Sequence, residues 1–83
     1  MTRTKALANA ASWATSASGL YARSTRSRDD AQRLLTNGRD PFDPEVEQLA
    51  ARSAADETDL HIELEFARTW AAIAAATPEE PQP

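Results

Sequence analysis

The chain has 83 residues, a net charge of −4, no cysteine and only two glycines. Disulfides and thiolate metal sites are therefore excluded, and a chain this short forms at most one small domain with a marginal core of its own. No run approaches the roughly 18 apolar residues of a membrane span, and abundant Ala with few β-branched residues points to an all-α fold.

The first segment, MTRTKALANAASWATSASGLYARSTRSR, has no acid before Asp29 and is rich in Ser, Ala and Arg. Transit peptides share that composition, but the continuous apolar core of a secretory signal is missing. The segment is expected to open the first helix, over about 4–37. Absence of Cys fits a reducing compartment, so a cytoplasmic location is expected.

Punctuation is concentrated in NGRDPFDPE, residues 37–45. Asn37-Gly38 reads as a helix end, with Gly38 free to take the left-handed conformation. Asp40-Pro41 blocks continuation, because the residue before Pro avoids the α region. Asp43 then reads as an N-cap, Pro44 as the first helical residue, and Glu45 and Glu47 as acids suited to the positive end of the helix dipole. The second helix is expected over about 44–76, and TPEEPQP leaves a disordered Pro/Glu tail at 77–83 beyond a single domain at 1–76.

Two long helices joined by a short loop make an antiparallel hairpin. The seam expected on helix one runs through Leu7, Ala10, Ala14, Ala17, Tyr21, Ser24, Arg28, Ala31 and Leu35, spaced mostly three and four. Its counterpart is Val46, Ala50, Ser53, Glu57, Leu60, Leu64, Ala67, Ala71 and Ala74. In that register Leu35 faces Val46, Arg28 faces Ser53, Ser24 faces Glu57 and Leu7 faces Ala74. Within helix two, TDLHIELEF alternates apolar and polar residues as a half-buried strand does. Seven extended residues without a turn signal at either side are a poor strand, so the helical reading is preferred, with a strand-paired dimer as its alternative.

On that reading the alternation marks two apolar faces. Ile62, Phe66, Trp70 and Ile73 form a second stripe, and Trp13, Leu20 and Leu34 lie off the first seam. Two helices cannot cover both stripes. The interface is therefore expected at Trp13, Leu20, Ile62, Phe66, Trp70 and Ile73, with the hairpin pairing into a four-helix bundle or docking on a protein partner.

Other chemistry has weaker support. His61 is the only histidine, and Glu57, His61 and Glu65 share one helix face at a spacing of four. A Glu-x-x-His metal motif would need a carboxylate where Thr58 stands, so a bundle metal site there is an alternative that requires two copies of helix two, and no cofactor is expected. There is no second His, no Cys and no phosphate-cradling glycine loop, so no enzyme is expected. Up to Asp40 seven basic residues face three acids, and from Pro41 ten acids face two arginines. Arg23, Arg26, Arg28 and Arg33 could contact nucleic-acid phosphates; the preferred role for them is pairing with the acids of helix two. The expected function is non-enzymatic assembly or accessory work through protein–protein contact, with a nucleic-acid-associated regulator as the alternative.

Overall fold

A computed structural model describes residues 1–79. It contains two helices, α1 (Arg3–Thr36) and α2 (Pro44–Ala76), packed against each other along their length. The hairpin measures 65 × 17 × 12 Å. The stretch from Thr58 to Phe66 is helical throughout. Of the expected tail, Thr77 to Glu79 follow α2, and residues 80–83 lie outside the described residues. Among the described residues no helix is long and apolar enough to cross a membrane.

Local chemistry fixes both ends of each helix. Thr2 caps α1 by accepting a 3.1 Å hydrogen bond from the Lys5 amide, a start one residue earlier than expected. At the other end Gly38 takes φ 91°. Its amide donates to Leu35 O at 3.0 Å and the Arg39 amide to Leu34 O at 2.9 Å, which together satisfy carbonyls the helix leaves open. Asp43 caps α2, its Oδ1 accepting from the Glu45 amide at 2.9 Å, with Pro44 as the first helical residue. Arg39 clamps this corner through Asp43 at 3.4 Å and Glu45 at 3.0 Å.

The seam differs from the expected one by a rotation of both helices. Buried positions on α1 are Ala6, Ala17, Ser24, Ser27 and Ala31, and on α2 they are Val46, Ser53, Asp56 and Ala74. Half-buried Ala10, Trp13, Leu20 and Leu34 complete an alternation of four and three on α1; Leu49, Leu60, Glu63, Ala67 and Trp70 do so on α2. Trp13, Leu20, Leu34 and Trp70 thus belong to the seam. Leu7 and Tyr21, expected inside, are 51% and 60% exposed. The register shifts with the rotation: Ser24 faces Ser53 instead of Glu57, and Glu57 faces Arg28. The physical reason is volume. Each Trp can bury roughly 150–250 Å², so turning Trp13 and Trp70 inward outweighs burial of Leu7 and Tyr21.

Small residues dominate what is fully enclosed. The largest side chain with essentially no exposure is Ser24. Its hydroxyl lies 3.0 Å from that of Ser53, and each hydroxyl also donates to the other residue's carbonyl at 3.1 Å. Serine at both positions lets the backbones approach and supplies the hydrogen bonds that a buried hydroxyl requires.

Candidate interaction surface

Two long edges flank the seam. The first is identified by contacts that bridge the helices. Trp13 and Phe66 rings meet with centroids 4.8 Å apart and planes tilted by 36°. One turn nearer the loop, Ser16 Oγ donates to Glu63 Oε1 at 2.8 Å. Farther along, Arg23 grips Asp56 with two bonds, Nε to Oδ2 at 3.0 Å and Nη2 to Oδ1 at 2.8 Å. Asp56 is buried, and the Arg23 guanidinium holds its carboxyl below the usual carboxylate range, chiefly through these hydrogen bonds. The same bonds raise the Arg23 pKa above its ordinary value. Ser27 and the Ser24–Ser53 pair sit beside this node, so the middle of the seam is polar inside, and Ala31, Leu34, Val46 and Leu49 close it toward the loop. The half toward the chain ends is aromatic and Ala-rich.

Along this edge α2 presents Ile62, Phe66, Thr69 and Ile73, spaced four, three and four, so they form one stripe. Ile62, Phe66 and Ile73 are 50%, 45% and 36% exposed. Phe66 is held by Trp13, and Ile62 and Ile73 project from the stripe on either side of it. On α1 the same edge carries Ser12, Ser16, Gly19, Arg23 and Arg26, spaced four, three, four and three. Ser12, Ser16 and Gly19 are exposed and small, so they leave a shallow trough beside the apolar stripe. A glycine inside a helix costs about 0.8–1.0 kcal/mol relative to alanine. Nothing lies within 4 Å of where a Gly19 Cβ would stand, so no contact within the chain calls for glycine there.

The opposite edge carries two grooves. A groove of about 320 Å³ is lined by Ala14, Ala17, Ser18, Tyr21, Leu60 and Leu64. A second, of about 400 Å³, lies nearer the loop between Arg28, Gln32, Ala50, Ser53 and Glu57.

Of the six residues expected to form an interface, Ile62, Phe66 and Ile73 lie exposed on the first edge, while Trp13, Leu20 and Trp70 are half-buried in the seam. Of the four arginines expected to meet phosphate, Arg23 and Arg26 share the first edge, Arg28 lines the opposite one, and three of the four are engaged. Arg23 binds Asp56, Arg28 lies 3.7 Å from Glu57, and Arg33 lies 3.4 Å from Asp30. Glu57, His61 and Glu65 follow one another along the exposed side of α2. Among the described residues no group of three or more His, Asp or Glu side chains is placed to hold a metal ion, so a site there would need ligands from another chain. Sequence reasoning expected these arginines to pair with the acids of helix two, but it missed Asp56 as the buried partner of Arg23 and the trough at Gly19. The spacing of Ser12, Ser16, Gly19, Arg23 and Arg26 was the available signal for both. No family model, curated protein or solved structure matches the chain.

Proposed function

We propose that the protein is a non-enzymatic helical assembly or accessory subunit that works through protein–protein contact. The observation that carries this is the exposed stripe of Ile62, Phe66 and Ile73 on a hairpin whose largest fully enclosed side chain is a serine. A core of Ala and Ser buries little apolar area, and full burial of one large apolar side chain contributes about 1.5–3 kcal/mol. Covering the stripe supplies stabilisation that the hairpin lacks by itself. The nucleic-acid alternative is weakened by the ion pairs that already occupy Arg23, Arg28 and Arg33.

The test is sedimentation velocity at micromolar concentration. The expected result is a species of at least twice the 9.0 kDa chain mass, with Ile62→Asp/Phe66→Asp returning it to a single chain that keeps its helical circular dichroism. A well-folded single chain for the unsubstituted protein at that concentration sinks the proposal.

A further inference from the structure

We propose that the stripe is covered by a second copy of the same chain, related by a two-fold axis parallel to the helices, with Ile62 and Phe66 of each copy packed into the Ser12–Ser16–Gly19 trough of the other. This rests on the assembly reading above and names its occupant and geometry.

Area supports an occupant of this size. The accessible surface is 5984 Å², whereas a compact monomer of this mass exposes about 4,900 Å² by the surface–mass scaling. The excess is about 1,100 Å², and a standard stable interface removes about 800 Å² from each partner. One hairpin laid on this edge fits that requirement.

Shape and charge select the orientation. An axis parallel to the helices leaves every residue at its own height and lays α1 of one copy on α2 of the other. Within one chain Trp13 is level with Phe66 and Ser16 with Glu63. The partner's Ser12-to-Gly19 segment therefore arrives at the height of Ile62 and Phe66, large side chains over small ones. The missing Cβ at Gly19, unused within the chain, then admits the partner's helix. α1 carries six cations and two acids, and α2 carries seven acids and two cations. Basic helix lies on acidic helix in this arrangement, which favours it over its rivals. A two-fold axis perpendicular to the helices would instead stack α1 on α1 and α2 on α2. That places like charges together and leaves trough against trough.

The two orientations are separated by one distance. In the proposed dimer both loops lie at the same end, whereas in the crossed one they lie at opposite ends of a 65 Å rod. The chain has no Cys, so Asn37→Cys gives a single site for a spin label. Double electron–electron resonance should then report one interchain distance within about 30 Å, set by helix spacing of 8–10 Å plus the label arms. On the same sample sedimentation should report a dimer. In parallel, Gly19→Leu should weaken dimerisation at least about tenfold by filling the trough, with helical circular dichroism retained, while Tyr21→Lys on the opposite edge leaves the dimer intact. A dimer with label distances of about 50 Å or more overturns the orientation and leaves assembly standing. A dimer lost on Tyr21→Lys but kept on Gly19→Leu overturns the choice of edge. A sample that sediments as a well-folded single chain overturns the second copy as occupant and the assembly reading with it, whereas the label distances and the two point variants test the geometry alone.

Discussion

Asp56 shows how one residue can reset a seam. A carboxylate at a core position of an Ala-rich hairpin is costly unless it is hydrogen-bonded, and here Arg23 closes both of its oxygens from the edge. The pair aligns the helices at one height, because a shift of one turn would strand Asp56. Its pKa is held below the ordinary value of 3.8. A carboxyl depressed on folding adds stability that is present above its unfolded pKa and is lost as pH falls through the folded one. Thermal unfolding should therefore be flat between about pH 7 and 5 at this site and decline below about pH 4. Asp56→Asn should melt lower at neutral pH and show a shallower acid decline. Equal acid sensitivity of the two proteins in parallel melts would remove Asp56 from this role.

At the scale of the elements, the two ends of the hairpin are built differently. The loop end holds the Gly38 turn, the Asp43 cap, Arg33 in the last turn of α1, and Glu45 and Glu47 in the first turn of α2. Those charges suit the dipole of each helix. At the other end, the first turn of α1 has no acid and the last turn of α2 has no base. There the hairpin is joined by Trp13 with Phe66 and by the exposed Arg3–Glu79 pair at 3.3 Å, a contact of little energetic weight. Opening should therefore begin at the chain ends and reach the loop last, an order that amide exchange reads directly. Asp43→Ala should cost about 1 kcal/mol in denaturant unfolding, the usual value for a lost cap. A change below about 0.3 kcal/mol would show that Pro44 and the Arg39 clamp hold the turn without it.

For the whole molecule, the radius of gyration is 18.7 Å, against about 12 Å for a compact domain of this length. Two helices side by side have one shared seam and two open edges, so extension follows from having no third element. The proposed second copy would add that layer, and on this proposal folding is coupled to association. The apparent melting temperature should rise with protein concentration by a few degrees per tenfold. A melting point constant from about 5 to 500 μM would mean that the hairpin melts as an independent unit.

The sequence by itself determined the two helices, their lengths and the turn between them. Those signals are local: Gly38, the Asp40-Pro41 break, Asp43 with Pro44, and Ala on both sides of a stretch that alternates like a strand. It also marked Ile62, Phe66 and Ile73 as apolar positions beyond what one seam accommodates. The rotation of the helices was decided only in the tertiary structure. Ala and Ser occur all round α1 and Ala through much of α2, so apolar spacing supports two neighbouring seams almost equally, one through Leu7 and Tyr21 and one through Trp13 and Leu20. Periodicity along one helix cannot separate them. The choice depends on cross-helix terms, namely the volume of Trp13 and Trp70, the Ser24–Ser53 pair at close approach, and the bond from Arg23 to Asp56. Each of these exists only once the second helix is in place.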